Sequence, residues 1–291
     1  MSTLIDRWKR RYWQADNDAI AALSGERPAV VVTGGSEGIG LALAKTFAAT
    51  DRTVLLISRD SGKLDRARTE LENRGHRAIL TLPMDLCTSE SPARIREFLS
   101  NHDCYTDILI NSAGIGAAGN FVANDPDELT RLTELNMTAL TRLCRAFLPD
   151  MLTRGRGGII NVSSLGGFAP GPYQAAYYAS KAYVISFTRA LAHETRGHGI
   201  RIATVAPGPV ETLFHARMDG QNALYRVVLP ALSPDQVAAS TIRGYHWGHT
   251  LIIPGILNNL TGLAMRILPA PLIAPIVAIL LKPRSWIHRQ A

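Results

Sequence analysis

The sequence predicts an α/β protein built on a doubly wound parallel sheet, in a single domain that carries an apolar helical C-terminal extension. Three observations carry that prediction. Short apolar runs alternate with longer helical patterns from residue 28 to Pro207-Gly208-Pro209. A glycine-rich turn follows the first apolar run and opens the first helical pattern. The alternation then stops, and beyond the last apolar run the sequence is nearly uncharged as far as Leu281. Strand and helix in strict alternation mean βαβ units, hence parallel strands covered on both faces.

Residues 3 to about 24 read as a helix ahead of the domain, with Leu4, Ile5, Trp8, Tyr12, Ile20 and Leu23 as its apolar positions. Arg7, Lys9, Arg10 and Arg11 make its first half basic. Pro28 punctuates, and Ala29-Val30-Val31-Val32 reads as a buried strand. Further strands are expected at Thr53 to Ser58, Arg77 to Leu82, Ile108 to Ile110, Ile159 to Val162 and Ile200 to Val205. Helical patterns fill 39–49, 60–74, 89–101, 126–154 and 175–197. Residues 207–232 read as a long loop, a feature that in compact domains is usually functional. Ser233-Pro234-Asp235 starts a helix to about Arg243, and Leu251-Ile252-Ile253 reads as a last strand. The expected divisions are an N-terminal helical extension over 1–27, the α/β domain over 28–255 and the apolar extension over 256–291.

The 291 residues are 46% hydrophobic and 19% charged, enough for a large core and too apolar for a disordered chain. The net charge of +7 suits an anionic ligand, a membrane surface or nucleic acid. No lysine- and arginine-rich cluster with interleaved aromatics runs through the centre, so nucleic-acid binding is not expected. Cys87, Cys104 and Cys144 are odd in number and widely spaced. They form neither a metal pattern nor a disulfide framework, which fits a cytoplasmic protein. Asp6, Asp16 and Asp18, with no apolar core between them, do not read as a secretory signal.

Two stretches carry chemistry. Thr33-Gly34-Gly35-Ser36-Glu37-Gly38-Ile39-Gly40 follows a strand and opens a helix. Glycines there allow a tight turn and a close approach of a diphosphate to the backbone, while the helix start supplies free N–H groups. This context makes the fold Rossmann-type. Tyr177 and Lys181 lie four apart, on one face of a helix. A phenol has a reference pKa of about 10, and an ammonium beside it favours the phenolate. The pair is therefore expected to act as a proton donor and acceptor near neutral pH. Tyr178, three before Lys181, is read as packing.

With these stretches in view, the chain resembles the short-chain dehydrogenase/reductase family, in its core rather than its extended branch. The spacing Thr-Gly-x3-Gly-x-Gly is that branch's pattern, and the resemblance covers about residues 28–255. It implies cofactor contacts from Gly34, Ser36, Gly38, Ile39 and Gly40. Asp85-Leu86 matches the pair that contacts adenine. Asn111-Ser112-Ala113-Gly114 matches Asn-Asn-Ala-Gly with Ser112 as a departure, and implies contacts from Asn111, Ala113 and Gly114. Pro207-Gly208-x-Val210-x-Thr212 matches the motif that lies against the nicotinamide. Asn136, Ser164, Tyr177 and Lys181 match the catalytic tetrad, with Ser164 thirteen residues before Tyr177. Ser164 would hold the substrate oxygen, Asn136 would order a water in the proton relay, and Tyr177 and Lys181 would also touch the cofactor. Ser163 is the rival hydroxyl, and alternation along the strand points it to the other face.

Cofactor choice is read at the end of the second strand, Leu56-Ile57-Ser58-Arg59. Ser58 brings no charge to repel a phosphate and Arg59 can pair with a 2′-phosphate, which favours NADP(H) over NAD(H). Glu37 counts against it, standing where many NADP-preferring relatives carry a base. The expected partners are a small carbonyl or alcohol substrate and further copies of the chain, as dimer or tetramer; no metal is expected. The rival reading is a cofactor-binding regulatory or scaffold protein without turnover.

Beyond Gly255, Ile256, Leu257, Leu260, Leu263, Ala264, Ile267 and Leu268 recur at helical spacing. Ile267 to Leu281 is apolar but holds Pro269, Pro271 and Pro275, too short and broken to span a membrane. The segment reads as a wall of a pocket for a lipophilic substrate or as a subunit face. A sharper reading is peripheral contact with the inner face of a membrane. Trp8 and Tyr12 among basic residues, and Trp286 beside Lys282, Arg284 and Arg289, suit such an interface.

Overall fold

Strand β1 (Arg27–Thr33) carries an unbroken apolar run because both of its faces are covered. Val30 and Val32 face a layer holding Leu43, Phe47, Leu64 and Val237. Ala29 and Val31 face the opposite layer, holding Ile95, Leu143, Phe147 and Val184. The period of two along one strand thus divides the core into two halves, one on each side of the sheet.

The computed structural model describes residues 26–50, 52–214 and 230–282. After β1 the chain forms α1 (Gly38–Ala48), β2 (Thr53–Ser58), α2 (Ser61–Asn73), β3 (Ile79–Pro83), α3 (Ser91–Ser100) and β4 (Cys104–Asn111). Then come α4 (Pro126–Thr133), α5 (Leu140–Arg154), β5 (Gly157–Val162), α6 (Ala175–Glu194) and β6 (Ile200–Val205). The described chain closes with α7 (Pro234–His246), β7 (Leu251–Ile252), α8 (Ile256–Ile267) and α9 (Ala270–Leu281). The seven strands are parallel, in the order β3-β2-β1-β4-β5-β6-β7. Winding reverses at β1, so a crevice opens where the carboxyl ends of β1 and β4 diverge.

The expected helix over 3–24, most of the 207–232 loop, and Trp286, Arg284 and Arg289 lie outside the described residues. Elsewhere three expectations are corrected. Strand β4 begins at Cys104, four residues before Ile108. Thr106 and Asp107 hid it from an apolar pattern, yet both are buried. Asp107 tolerates burial because Arg52 and Arg156 donate to its two carboxylate oxygens at 2.9 and 3.0 Å. The single helix expected over 126–154 is two helices joined by a wide π turn at Glu134–Ala139. The prolines of the last apolar run do not break it: α9 is helical from Ala270 to Leu281. Pro271 sits in the first turn, where its missing N–H has no helical partner to lose, and only Pro275 removes a bond. With 12 residues α9 is roughly 18 Å long, and no helix among the described residues is long and apolar enough to cross a membrane.

Candidate active site

The turn between β1 and α1 is built by close approach. Gly34 has φ +65° and Gly38 φ +57°, backbone that side chains rarely adopt. A Cβ on Gly34 would stand 2.9 Å from the backbone of Ala113. Thr33 fastens the two strand ends together: its hydroxyl accepts from the N–H groups of Ser112 (3.1 Å) and Ala113 (3.2 Å). Glu37 makes no side-chain cap for α1, and the first turn of α1 holds no acidic residue. The N–H groups that open α1 and the positive end of its dipole suit an anion, the chemistry of a diphosphate cradle.

The tetrad assembles beside this turn. Tyr177 and Lys181 share one face of α6, with Lys181 Nζ 5.6 Å from the centre of the Tyr177 ring. Nζ donates to the Val162 carbonyl at 3.1 Å, which ties α6 to the end of β5. Ser163 donates to the Lys181 carbonyl at 2.8 Å, so its hydroxyl serves the backbone. Ser164, one residue on, caps the short 3-10 turn Leu165–Phe168 by accepting from the Gly166 N–H at 3.1 Å. Its O–H remains for Tyr177, with which it shares a hydrogen bond, or for a substrate oxygen.

Asn136 sits in the π turn, a kind of irregularity frequent at functional sites. Its Oδ1 accepts from the Ile115 N–H at 3.0 Å, while Nδ2 donates to the Ile115 carbonyl (2.9 Å) and to Ser180 Oγ (3.0 Å). Both amide hydrogens and one lone pair are therefore committed within the protein. Ser180 was not singled out in the sequence; its hydroxyl also donates to the Tyr177 carbonyl at 2.7 Å, so it couples Asn136 to the helix of Tyr177. Gly114 closes the group: a Cβ there would meet Asn136 Oδ1 at 3.2 Å and Lys181 Nζ at 3.4 Å.

The electrostatics depart from the expectation that Lys181 lowers the pKa of Tyr177. Burial pushes the Tyr177 phenol up to about 12, with the Ser164 hydrogen bond pulling more weakly the other way. Burial also pushes the Lys181 ammonium down to about 8. Both side chains lose their water, and Nζ is aimed at a carbonyl rather than at the phenol oxygen. At neutral pH the phenol keeps its proton, ready to be given.

The remaining predicted positions are spread along the crevice. Thr212 reaches the α1 turn, its methyl 3.2 Å from where a Gly38 Cβ would be. Pro207 accepts from the Leu165 N–H at 2.9 Å, Gly208 packs on Asn258, and Val210 is buried and pairs with Leu232. Ser36 and Ile39 lie half-buried on the turn, and Gly40 is buried beneath it. Asp85 pairs with Arg131 of α4 at 2.8 Å, and Leu86 is buried. Asn111 is corrected to a structural role, because its side chain is turned into the core. It donates to Asn161 Oδ1 at 2.8 Å and approaches Cys144 Sγ at 3.4 Å. Arg59 is exposed beyond β2, and Lys63 in the first turn of α2 meets Glu37 at 3.2 Å. An open apolar cavity of about 530 Å³, lined by Phe168, Ala169, Pro170, Tyr178 and their neighbours, touches none of the tetrad.

Known proteins of this kind fit the geometry. A family model described as short chain dehydrogenase matches residues 28–222. A short chain dehydrogenase of Pseudocercospora fijiensis is 36% identical over 195 residues, which is 66% of this chain and 62% of that protein. A fatty acyl-CoA reductase of Acinetobacter baylyi is 33% identical over 210 residues, covering 72% of this chain and 69% of that protein. The solved short-chain dehydrogenase from Sphingobium yanoikuyae in complex with NADPH superposes with a TM-score of 0.71 at 30% identity, covering 83% of this chain and 96% of that one.

Proposed function

The chain belongs to the short-chain dehydrogenase/reductase family, and on that premise we propose that it interconverts a carbonyl compound and a secondary alcohol with NADP(H), NAD(H) being the second choice. The observation that carries this reading is the convergence of Tyr177, Lys181, Asn136 and Gly114 beside the glycine turn. A buried lysine beside a buried tyrosine, each with a pKa displaced by desolvation, favours acid–base turnover over a passive scaffold.

When bound, the nicotinamide supplies or accepts the hydride. Tyr177 gives its proton to the carbonyl oxygen in reduction and takes it back in oxidation. Ser164 donates to the same oxygen and stabilises the charge that develops there. The Lys181 ammonium lies close enough to stabilise the tyrosinate left behind. Asn136 acts as a positioning residue, holding the Ile115 backbone and, through Ser180, helix α6. The turn at Gly34–Gly40 would hold the diphosphate, and Arg59 with Lys63 would supply positive charge for a 2′-phosphate. The NADPH held by the Sphingobium relative supports the same choice.

The substrate we infer is a lipophilic carbonyl compound, taken up by an enzyme that assembles as a homo-oligomer. Helix α8 packs over the residues that follow Ser164: a Cβ on Gly262 would lie 3.2 Å from Leu165 and 3.6 Å from Phe168. Helix α9 adds Ile273 against Ala169 and Tyr178. An apolar wall contributes about 25 cal/mol per Å² of surface removed from water, which rewards long alkyl or ring substrates. The Acinetobacter relative, named a fatty acyl-CoA reductase, points the same way. A panel of short- and long-chain carbonyls, read by NADPH absorbance, tests both levels. Turnover that rises in kcat/KM with chain length is expected. NADPH binding without oxidation by any carbonyl overturns the enzymatic reading, and equal KM for short and long carbonyls overturns the lipophilic one.

A further inference from the structure

Nine of the thirteen large apolar side chains that stand exposed among the described residues lie between Ile256 and Ile279. Their distribution follows from how the two last helices are seated. Ile273, Val277 and Leu281, four apart, form the inward stripe of α9 and pack on Ala169, Tyr178 and Met265. Leu272, Ile276 and Ile279 are left on the outward side at 60%, 50% and 63% exposure. Helix α8 is seated on Asn258 and Gly262, which leaves Ile256, Leu260 and Ile267 outward. An exposed aliphatic surface of this extent on two consecutive helices marks a contact.

The chemistry of that surface selects its occupant. From Gly255 to Leu281 the only charge is Arg266, and its guanidinium lies over the Phe168 ring at 5.9 Å, against the body of the protein. Neither helix carries an aromatic residue or an acid. Protein interfaces rely on aromatic and arginine anchors set in shaped pockets, whereas acyl chains accept a uniform aliphatic face. The sequence that continues from α9 adds Lys282, Arg284, His288 and Arg289 around Trp286, with no acidic residue to the end of the chain. An anionic headgroup layer matches the basic composition of that sequence. Neither helix is long enough to span a bilayer, so the contact must lie in its plane.

We propose that the outward face of α8 and α9 beds in the surface of an anionic lipid bilayer, with the aliphatic side chains among the acyl chains. The full-length protein is pelleted with sucrose-loaded vesicles of phosphatidylcholine alone or mixed with phosphatidylglycerol. Binding to the mixed vesicles is expected, several-fold above that to phosphatidylcholine. Leu272→Glu, Ile276→Glu and Ile279→Glu together should lower it by about tenfold or more. The three positions are exposed, so Tm and turnover of a short soluble carbonyl should stay as in the wild type. Absence of pelleting with both compositions, or pelleting that survives the triple substitution, overturns the proposal. So does a wild-type dimer in light scattering that the triple substitution converts to monomer without any vesicle binding. That outcome assigns the face to a second copy. Vesicle binding is read without substrate, so its failure leaves the enzymatic reading untouched.

Discussion

Lys63 Nζ stands 3.2 Å from Glu37 Oε2, closing a bridge between the first turn of α2 and the turn that precedes α1. Both side chains are about one-third exposed, so the ion pair itself adds little stability. Its consequence is local charge. Glu37 was the one sequence feature that opposed a 2′-phosphate, and Lys63 offsets it from a position 26 residues away. Lys63→Ala is expected to raise KM for NADPH by about tenfold and to change KM for NADH by less than about twofold. Ser58→Asp with Arg59→Ile is expected to invert the preference towards NADH, because the carboxylate repels the phosphate and accepts from ribose hydroxyls. Measured kcat/KM for both cofactors decides this, and a wild type that already prefers NADH sinks the argument.

Tyr177→Phe is expected to keep the fold and NADPH binding while turnover falls by about 10² to 10⁴-fold, since only the proton donor is removed. Tyr178→Phe is expected to stay within about twofold. The Tyr178 ring packs on Gly166, where a Cβ would meet it at 3.1 Å, and on the inward stripe of α9. Steady-state rates of the two variants, with NADPH titration as a control for folding, separate the roles. Near wild-type turnover in Tyr177→Phe would remove it as the acid.

Lys181 links catalysis to stability through pH. Its folded pKa of about 8 lies below the ordinary lysine value of 10.5. Between these values the unfolded chain holds a proton that the folded chain has released, so stability rises with pH across that window. Below about pH 8 the buried ammonium is a standing cost. Lys181→Met is therefore expected to raise stability at pH 7 by up to about 3 kcal/mol, less what the orphaned Val162 carbonyl loses, while turnover collapses. The gain should shrink towards nothing as pH approaches 10.5. Denaturant midpoints at several pH values check this, and a difference that does not change with pH counts against it.

What could be read from the sequence depended on how local the signal was. The glycine turn, the Tyr177–Lys181 spacing and the position of Ser164 all rest on one element or its immediate end, and helices α1 and α6 and strand β5 formed where the pattern placed them. The start of β4 was hidden because Asp107 is made compatible with burial by Arg52 and Arg156, two residues from other parts of the chain. The π turn at Asn136 was hidden because one extra residue per turn leaves the apolar spacing of α4 and α5 almost unchanged. Asn111 was misread for a related reason. At a strand end a single step of alternation decides between crevice and core, and Asn161 and Cys144 draw this side chain inward. Lys63 and Ser180 act through partners 26 and 44 residues distant, which no local pattern reports.

The close approach inside the glycine turn allows a test that needs no substrate. A Cβ on Gly40 would collide with the Gly34 carbonyl, its carbon 2.9 Å away, with Gly35 Cα at 3.3 Å. Both obstacles are backbone, so no rotamer can relieve them. Helix α1 would have to move off the turn, and the N–H groups that face a diphosphate would move with it. Gly40→Ala is expected to lower stability by about 1–3 kcal/mol and to weaken NADPH binding by more than tenfold. Gly62→Ala is the matched control. Gly62 lies in the first turn of α2, and its added Cβ would meet only the Asp60 side chain, at 3.5 Å, and that of Arg66, at 3.9 Å. Those are ordinary contacts, and replacing a helical glycine by alanine is worth up to about 1 kcal/mol in favour of the fold. Melting temperatures of the pair should therefore shift in opposite directions, while cofactor titration should weaken for Gly40→Ala and stay unchanged for Gly62→Ala. If Gly40→Ala melts and binds like the wild type, the turn is looser than its geometry indicates and cannot be what holds the diphosphate.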